Sequence, residues 1–182
     1  LLYLTLHIKK IMKKGGRSVL RDGKIPGSIS IDLRPEIVSQ RARVGDWETD
    51  NMEGTKTERA TSSATVERLT RLILLNKLPD RLADTKTKAL TDRLLKFPEI
   101  ARLTVTADNG KENSYHQEIT SLTGAQVFFC HAYHSWEKGT VENTIGRVRR
   151  FIPKGKSIDD LTEEEFKEVE YRLNSTPRKC LG

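Results

Sequence analysis

Acidic residues at three places in the sequence could together bind divalent metal ions. The first place is the segment GDWETD, which begins at Gly45, the second is Asp108 in TADNGKE, and the third is Glu142 in KGTVENT. Carboxylate oxygens are the hard ligands that Mg²⁺ prefers. Two such ions about 3.5–4 Å apart can activate an attacking oxygen and stabilise a leaving oxygen in phosphoryl transfer. These residue types therefore suggest metal-assisted phosphoryl transfer.

The segment GDWETD contains three carboxylates with a strand-like spacing. In an extended strand, Asp46, Glu48 and Asp50 lie on one face because side chains alternate with a period of two. Three carboxylates in a row repel one another, so either they are solvated or one of them faces a cation. The spacing alone does not tell which of the three is a ligand.

The second acid, Asp108, follows a short apolar strand and begins an Asp-Asn-Gly turn. Asp and Asn favour turns because their side chains hydrogen-bond nearby backbone, and Gly tolerates positive φ. One interpretation of the segment 103-LTVTADNGKE-112 is therefore a simple turn. The other is a carboxylate that a rigid strand end holds in place for a metal. The residues of this segment leave both open.

The basic residues of the chain are concentrated in two stretches. Residues 1–43 carry ten Lys/Arg against three Asp/Glu, and residues 138–156 carry six against Glu142 alone. The net charge of the whole chain is +7, so the remaining residues are acidic on balance. Two basic stretches on an acidic body predict a polyanion partner, most plausibly nucleic acid.

The overall composition predicts one soluble globular domain with an appendage. The chain has 182 residues, 36% of them hydrophobic and 31% charged. No run approaches the ~18 apolar residues that a membrane span needs. Two cysteines make neither a disulfide framework nor a metal cluster, which favours a cytoplasmic protein. His116, His131 and His134 are possible metal ligands, but they lack the Cys/His spacing of zinc sites.

Hydrophobic periodicity predicts an α/β sheet of about five strands with helices packed on it. Residues 1–43 are expected to form a basic arm with a helical piece near Leu4–Lys14, and residues 44–182 the core. The run LILL predicts a fully buried, central strand. Strands are predicted at 44–52, 63–67, 70–76, 102–107 and 126–129.

Helix boundaries follow from capping signals. Asp84 is expected to cap a helix that runs to about Lys96, and Gly124 to end a helix near 115–122. A further helix is predicted from about Thr140 to Arg150. The last helix has a capping box, in which Thr162 and Glu165 bond each other's backbone.

Several segments, in the same order, resemble a known family. GDWETD, TADNGKE and FFCHAYHSWEKGTVENTIGRVRRFIPKG are similar to the catalytic core of the insertion-sequence transposases of the thirty group, within the DDE transposase and retroviral-integrase superfamily. The 33 residues 109–141 separate Asp108 from Glu142, and this gap is a hallmark of that group. The similarity runs from about Ile25 to Gly182.

The resemblance implies an RNase H-like fold and assigns roles to individual residues. It implies that Asp50, Asp108 and Glu142 are the catalytic acids and bind two Mg²⁺ or Mn²⁺ ions. Arg149 matches the basic residue seven positions after the glutamate that meets DNA, and Asn109 would orient DNA or the metal shell. Further candidates for phosphate contacts are Lys111, Lys138, Arg147, Arg150, Lys154 and Lys156.

The chain differs from the pattern of the group at four positions, none of them an expected metal ligand. Thr49 replaces a glycine, Asn113 an aromatic residue, and Val141 and Ile145 replace asparagines. The group also carries a helix-turn-helix ahead of the core, and its core continues past Gly182. The chain is therefore expected to be truncated at both ends.

The expected function is a DNA transposase core. It would cleave a phosphodiester at the transposon ends and transfer the 3′-OH into target DNA, with the transposon ends and the target as partners, in a homo-oligomer in the bacterial cytoplasm. One alternative is a catalytically dead remnant that only binds DNA or dimerises. Another is an RNase H-like nuclease that cleaves without joining.

Overall fold

A computed structural model describes residues 25–55 and 57–181 of the chain. The helical piece predicted near residues 4–14 lies outside the described residues. No helix in the described part of the chain combines the length and the apolar character that crossing a membrane requires.

The described residues form one mixed sheet of five strands in the order β3-β2-β1-β4-β5. The strands are β1 (Asp46–Met52), β2 (Thr61–Glu67), β3 (Ile73–Leu78), β4 (Thr104–Ala107) and β5 (Gln126–Phe129). β1, β2 and β3 form an antiparallel meander, whereas β4 and β5 run parallel to β1. The predicted α/β fold with a five-stranded mixed sheet is confirmed.

The pairing of β1 with β4 places two of the predicted acids at the same end of the sheet, near the carboxyl ends of these two strands. Glu48 of β1 is opposite Thr106 of β4 in the parallel register. Asp50 lies two residues after Glu48, and Asp108 lies two residues after Thr106. Because parallel strands advance together, the two aspartates lie at the same level beyond the paired residues.

Helices cover both faces of the sheet. They are α1 (Glu36–Gln40), α2 (Ala83–Leu94), α3 (His116–Thr123), α4 (Gly139–Val148) and α5 (Glu163–Ser175). Short 3₁₀ helices lie at Ile31–Leu33, Glu99–Ala101, Lys111–Asn113, Ser135–Lys138 and Lys179–Leu181.

Two separate apolar clusters show that the architecture has three layers. Ile73 and Leu75 of β3 pack in a cluster with residues of α4 and α5, such as Val141 and Phe166. Leu74, between them, packs in the other cluster with residues of α2 and α3. Alternate residues of one strand thus enter opposite layers, as the period of two requires.

The central position predicted for the strand containing LILL is wrong. This strand, β3, lies at an edge of the sheet. Its outer backbone groups are bonded by side chains of α5: Leu75 N–H donates to Glu170 at 2.6 Å, and Ile73 N–H to Asn174 at 2.9 Å. Helices on both faces bury the apolar side chains, so the run LILL reports burial rather than position in the sheet.

The capping predictions have mixed outcomes. Thr162 and Glu165 form the predicted capping box at the start of α5. Gly124 ends α3 with a φ of 77°, a conformation that favours glycine. Asp84 does not cap α2, because the N-cap is Leu82 and Asp84 lies in the first turn of the helix. There the carboxylate still faces the favourable end of the helix dipole.

The described part of the predicted basic arm packs against the sheet. Ile25 is buried in the same cluster as Trp47. Ser30 forms a parallel bridge with Phe129 of β5. Val38 of α1 is fully buried. Residues 25–43 therefore pack against the body of the protein, beside β5 at Ser30 and near the end of β2 at Val38.

Candidate active site

Asp50, Asp108 and Glu142 line one cavity of about 200 Å³. Asp50 belongs to β1 and Asp108 directly follows β4, so the neighbouring parallel strands bring both carboxylates to the same end of the sheet. Glu142 lies in the first turn of α4, which packs on β1 and β2. The fold therefore brings the three acids together although 91 residues (51–141) separate the first from the third.

The structure distinguishes Asp50 from the other two acids of GDWETD. The side chain of Asp50 is 22% exposed, toward the cavity, whereas those of Asp46 and Glu48 have no exposed surface. Asp46 accepts hydrogen bonds from Arg43 at 3.0 Å and from Thr104 at 2.7 Å. Its carboxylate is thus bonded within the protein and does not face the cavity.

Glu48 connects the acid-bearing strand to the helix that carries Glu142. One of its oxygens pairs with the guanidinium of Arg68. The other accepts a hydrogen bond from Val141 N–H, at the beginning of α4, at 2.8 Å. A carboxylate is favourable at a helix N-terminus, because the N–H groups there have no partner within the helix. Glu48 therefore holds the first turn of α4, and Glu142 with it, beside β1.

Asp108 is oriented by the turn that follows it. Gly110 N–H donates to its Oδ1 at 3.1 Å, and Asn113 Nδ2 donates to the same oxygen at 2.8 Å. Asn113 is buried and also donates to the main-chain carbonyl of Asp108. The predicted turn is therefore present, and it fixes the carboxylate at the strand end; metal binding by Asp108 stays a prediction.

A lysine ammonium lies between the two aspartates. Lys138 Nζ is 3.0 Å from Asp50 Oδ2 and 3.0 Å from Asp108 Oδ2, and its side chain is only 5% exposed. Burial opposes the charged form of this lysine, but the two aspartates outweigh burial and raise its pKa. Burial would likewise raise the pKa of Asp108, yet Lys138, Lys86 and Gly110 together lower it.

Lys86 is a second lysine whose ammonium interacts with the aspartates. It lies on α2, is buried, and its ammonium has no hydrogen-bond partner within the described residues. Burial lowers its pKa, while Glu112, Asp108 and Asp50 act in the opposite direction. The basic groups around the acids compensate for the mutual repulsion of the acids.

The three acids fit a hard divalent cation, because they offer carboxylate oxygens, and two of them, Asp50 and Asp108, already hold a cation, the Lys138 ammonium. The three carboxylates do not converge as a finished ligand set. Within residues 25–55 and 57–181, only His131, His134 and Glu137 have ligand atoms that all lie within 4.8 Å of one another. A metal at the acids would therefore replace or displace the ammonium of Lys138.

Cys130 also lines the cavity, but its thiol is unreactive. Its thiol is buried, and burial raises its pKa to about 12. It therefore remains protonated at neutral pH and does not act as a nucleophile.

The sequence has close relatives among mobile-element proteins, although no family model matches it. It is 39% identical over 180 residues to the transposase of insertion sequence element IS4351 from Bacteroides fragilis, which covers 99% of this chain and 54% of the relative. It is 37% identical over 166 residues to the IS1086 transposase of Cupriavidus metallidurans, covering 91% of this chain and 49% of the relative. The Escherichia coli IS30A transposase is 33% identical over 175 residues, which cover 96% and 44% of the two chains.

Along nearly its whole length, this chain is similar to insertion-sequence transposases. It spans about half the length of the curated relatives that it matches. The predicted resemblance to the thirty group is confirmed, since the IS30 transposase is among these relatives.

Solved structures confirm the RNase H-like fold. The catalytic core domain of BIV integrase superposes with a TM-score of 0.58 at 18% identity, covering 73% of this chain and 85% of that chain. A simian T-cell lymphotropic virus intasome chain superposes with the same TM-score at 12% identity, over 75% of this chain and 56% of that chain.

The residues predicted to contact DNA fall into two groups. Lys138 and Asn109 point inward: the first pairs with the aspartates, and Asn109 Nδ2 donates to the carbonyl of Cys130 at 2.5 Å. The others lie at the surface or partly exposed: Lys111, Arg147, Arg149, Arg150, Lys154 and Lys156.

Arg149 is only partly available at the surface. Its Nη2 donates to the main-chain carbonyl of Glu53 at 2.5 Å, and its Nε and Nη1 atoms are buried without a partner in the described residues. Burial lowers its pKa. In this conformation the guanidinium braces the end of α4 against the end of β1.

Sequence reasoning missed a pair of arginines near the start of α4. Arg41 Nη2 and Arg71 Nη1 both donate to the hydroxyl of Thr140, at 3.3 and 3.1 Å. Both residues have a positive φ, of 54° and 64°. No local motif marks them, because they come from separate loops that only the fold brings together.

A larger groove of about 490 Å³ lies elsewhere, between the end of α4 and α5. Among the predicted site residues it is lined only by Lys156, and Phe151, Leu161 and Val169 make much of its wall apolar. The acids belong to the smaller cavity, which is therefore the candidate active site.

Proposed function

We propose that this chain is the catalytic core of a DDE transposase, which cleaves and joins DNA phosphodiesters. The observation that carries this proposal is the position of Asp50, Asp108 and Glu142 around one cavity at the strand ends of an RNase H-like sheet. The relationship to insertion-sequence transposases supports it. The proposed site of action is the bacterial cytoplasm.

The proposed cofactor is Mg²⁺ or Mn²⁺, two ions, held by Asp50, Asp108 and Glu142. When bound, such ions supply activation of an attacking oxygen and stabilisation of a leaving oxygen. The negative charges of the acids repel a phosphodiester, so metal ions at this site also favour the approach of DNA.

The protein's own groups preorganise this site. Asn113 and Gly110 fix the orientation of Asp108, and Glu48 fixes the first turn of α4 that carries Glu142. Lys138 keeps the two aspartates paired with a positive charge. Carboxylates that are held in this way need less reorganisation when the substrate binds, which favours the reaction.

The proposed substrates are the transposon ends and a target DNA. Exposed basic residues beyond α4, including Arg150 and Lys154, would contact phosphates without reading sequence. Two transposon ends must be joined to one target, so the proposed active form is a homo-oligomer.

The dead-remnant alternative is not favoured. All three expected acids are present, and none is fully buried in an internal ion pair as Asp46 and Glu48 are. The intact cavity thus retains the groups that the reaction needs.

The test is a titration of Mn²⁺ into the purified chain, followed by isothermal calorimetry, with Asp108→Asn and Glu142→Gln. We expect the wild type to bind Mn²⁺ and both variants to lose most of this affinity. Glu164→Gln, which removes an exposed carboxylate on α5, is the matched control and should bind as the wild type does.

Incubation with a supercoiled plasmid and Mn²⁺ then tests the reaction. A transposase core should nick the plasmid and join a supplied 3′-OH oligonucleotide to it, and Glu142→Gln should do neither. Nicking without joined products would favour the nuclease alternative. A wild-type chain that binds no Mn²⁺, even with DNA present, would contradict the proposal.

A further inference from the structure

The loop between β5 and α4 gathers two histidines and a glutamate that the proposed reaction does not use. His131 Nδ1 lies 2.8 Å from Glu137 Oε1, and His134 Nδ1 lies 3.3 Å from the same oxygen. The ligand atoms of the three residues all lie within 4.8 Å of one another. They are spaced three residues apart along the chain, and the 3₁₀ helix Ser135–Lys138 turns Glu137 back toward the histidines.

A second observation shows that this cluster is held in place from outside. His131 Nε2, the ring nitrogen that faces away from Glu137, lies 3.0 Å from Asp32 Oδ2. Asp32 in turn accepts a hydrogen bond from the hydroxyl of Ser30 at 2.7 Å. Metal-binding histidines almost always bond a carboxylate or carbonyl through their second nitrogen, which orients the ring.

The other two residues of the cluster are also fixed. Glu137 Oε2 accepts a hydrogen bond from the backbone N–H of His131 at 2.8 Å, which leaves Oε1 facing the two rings. The ring of His134 stacks on Trp136, with ring centroids 4.4 Å apart and an interplanar angle of 25°. The side chains of His131 and His134 are 41% and 43% exposed, so an ion can reach them from solvent.

We propose that His131, His134 and Glu137 bind one transition-metal ion of the Zn²⁺ class, at a site distinct from the catalytic acids. Two imidazole nitrogens and one carboxylate oxygen suit zinc, whereas magnesium favours an all-oxygen set. The ion takes the place of the protons now shared between the rings and Glu137, and these protons leave to solvent.

The location of this site gives it a consequence for the catalytic cavity. His131 and His134 line the same cavity as the catalytic acids. Glu137 directly precedes Lys138, whose ammonium bridges Asp50 and Asp108. An ion on this cluster therefore restricts the motion of the loop that carries Lys138. Because the protein supplies three ligands, one coordination position of the ion stays open.

The test uses Co²⁺ as a spectroscopic substitute for zinc on the full chain, with Zn²⁺ competition for affinity. We expect Co²⁺ to give visible absorption bands that Zn²⁺ abolishes. His134→Ala and Glu137→Gln should weaken binding by more than the ~10–100-fold that the loss of an outer-shell partner costs, and Asp32→Asn should fall within that range. Tyr133→Asn, an exposed residue of the same loop, is the matched control and should bind as the wild type does.

The double variant Asp50→Asn/Asp108→Asn separates this site from the catalytic acids. It should lose Mn²⁺ binding but keep the Co²⁺ spectrum. His134→Ala should keep Mn²⁺ binding but lose the Co²⁺ spectrum. The proposal is overturned if His134→Ala and Glu137→Gln bind Co²⁺ like the wild type, or if only the double variant loses Co²⁺. Either result leaves the proposed transposase function to its own Mn²⁺ test.

Discussion

The role that the structure gives to Lys138 differs from the role that the sequence predicts. On the sequence it is one of several basic residues near Glu142 and is expected to contact DNA phosphates. In the structure its ammonium is buried between Asp50 and Asp108, where it acts as an internal counter-charge. A cation that binds the aspartates must compete with it.

Replacing Lys138 with methionine tests this role. Without divalent ions, we expect Lys138→Met to lower the free energy of unfolding by about 1–3 kcal/mol, because two neighbouring carboxylates lose their counter-charge. This is below the ~3–5 kcal/mol of a fully buried pair, since Asp108 keeps 40% of its side chain exposed. Mn²⁺ should bind more tightly to the variant, because the competing ammonium is gone. Urea unfolding with and without Mg²⁺ measures the change in stability. Calorimetric titration with Mn²⁺ measures the change in affinity.

The appropriate control is Lys167→Met, which removes an exposed lysine 3.9 Å from Glu164. It should change stability by no more than about 0.5 kcal/mol. If Lys138→Met loses as much stability in saturating Mg²⁺ as in its absence, lysine and metal do not share one position.

Among the secondary-structure elements, β1 and α4 depend on each other through Glu48. We expect Glu48→Ala to destabilise the fold by about 3–5 kcal/mol, because it leaves the guanidinium of Arg68 buried without a partner. The N–H of Val141 also loses its acceptor, so we expect the start of α4 to loosen and the affinity for Mn²⁺ to fall. Urea unfolding and Mn²⁺ titration follow the two effects.

An exposed pair provides the comparison for Glu48. Glu168→Ala breaks the surface ion pair with Arg172 on α5 and should cost only about 0.3–0.5 kcal/mol. A Glu48→Ala protein that is less stable but binds Mn²⁺ normally would show that Glu48 supports the fold without positioning Glu142.

The beginning of α5 should be sensitive to pH. The backbone N–H of Thr162 is the main cause that lowers the pKa of Glu165, helped by Lys156 and the Thr162 hydroxyl. A lowered folded-state pKa means that the carboxylate stabilises the fold above the ordinary glutamate pKa, and that this contribution is lost as pH falls through the folded value. Wild type should therefore lose stability relative to Glu165→Gln between about pH 7 and pH 3.

Glutamine can replace glutamate in a capping box without titrating, which makes Glu165→Gln the suitable reference. Denaturant unfolding of both proteins across this pH range gives the difference. A difference that stays constant with pH would show that the cap does not lower the pKa of Glu165 relative to the unfolded state.

For the whole molecule, the uneven charge predicts how it binds DNA. Arg150 and Lys154 are exposed beyond α4, whereas Arg149 is braced against Glu53. We expect the double variant Arg150→Ala/Lys154→Ala to weaken DNA binding and to reduce the slope of log K against log salt by about 1.8, which is about 0.9 for each phosphate that the variant no longer neutralises. Fluorescence anisotropy with a labelled duplex at several salt concentrations measures the slope.

Lys88→Ala is the control for this experiment, because Lys88 is exposed on α2, which packs on the opposite face of the sheet from α4. It should leave the slope unchanged. Equal slopes for the wild type and the double variant would place the DNA on another surface.

Much of the fold was predictable from local patterns. The alternation in GDWETD predicts β1, and the Thr162–Glu165 pair predicts the start of α5, because both signals lie within a few residues. Two predictions failed where local signals do not suffice. The run LILL does not reveal that β3 is an edge strand, and Asp84 resembles a cap although the helix begins one residue earlier.

By itself, the sequence determined much of the strand and helix pattern and the uneven charge, and its resemblance to a family predicted the three acids. Only the tertiary structure decided which partner each charged group takes. It buries Glu48 against Arg68, places Lys138 between the aspartates and gathers His131 with Glu137. The physical reason is that ion pairs and ligand sets depend on distances of a few ångströms between residues that are far apart in the chain. Such distances are set by the packing of the sheet and the helices.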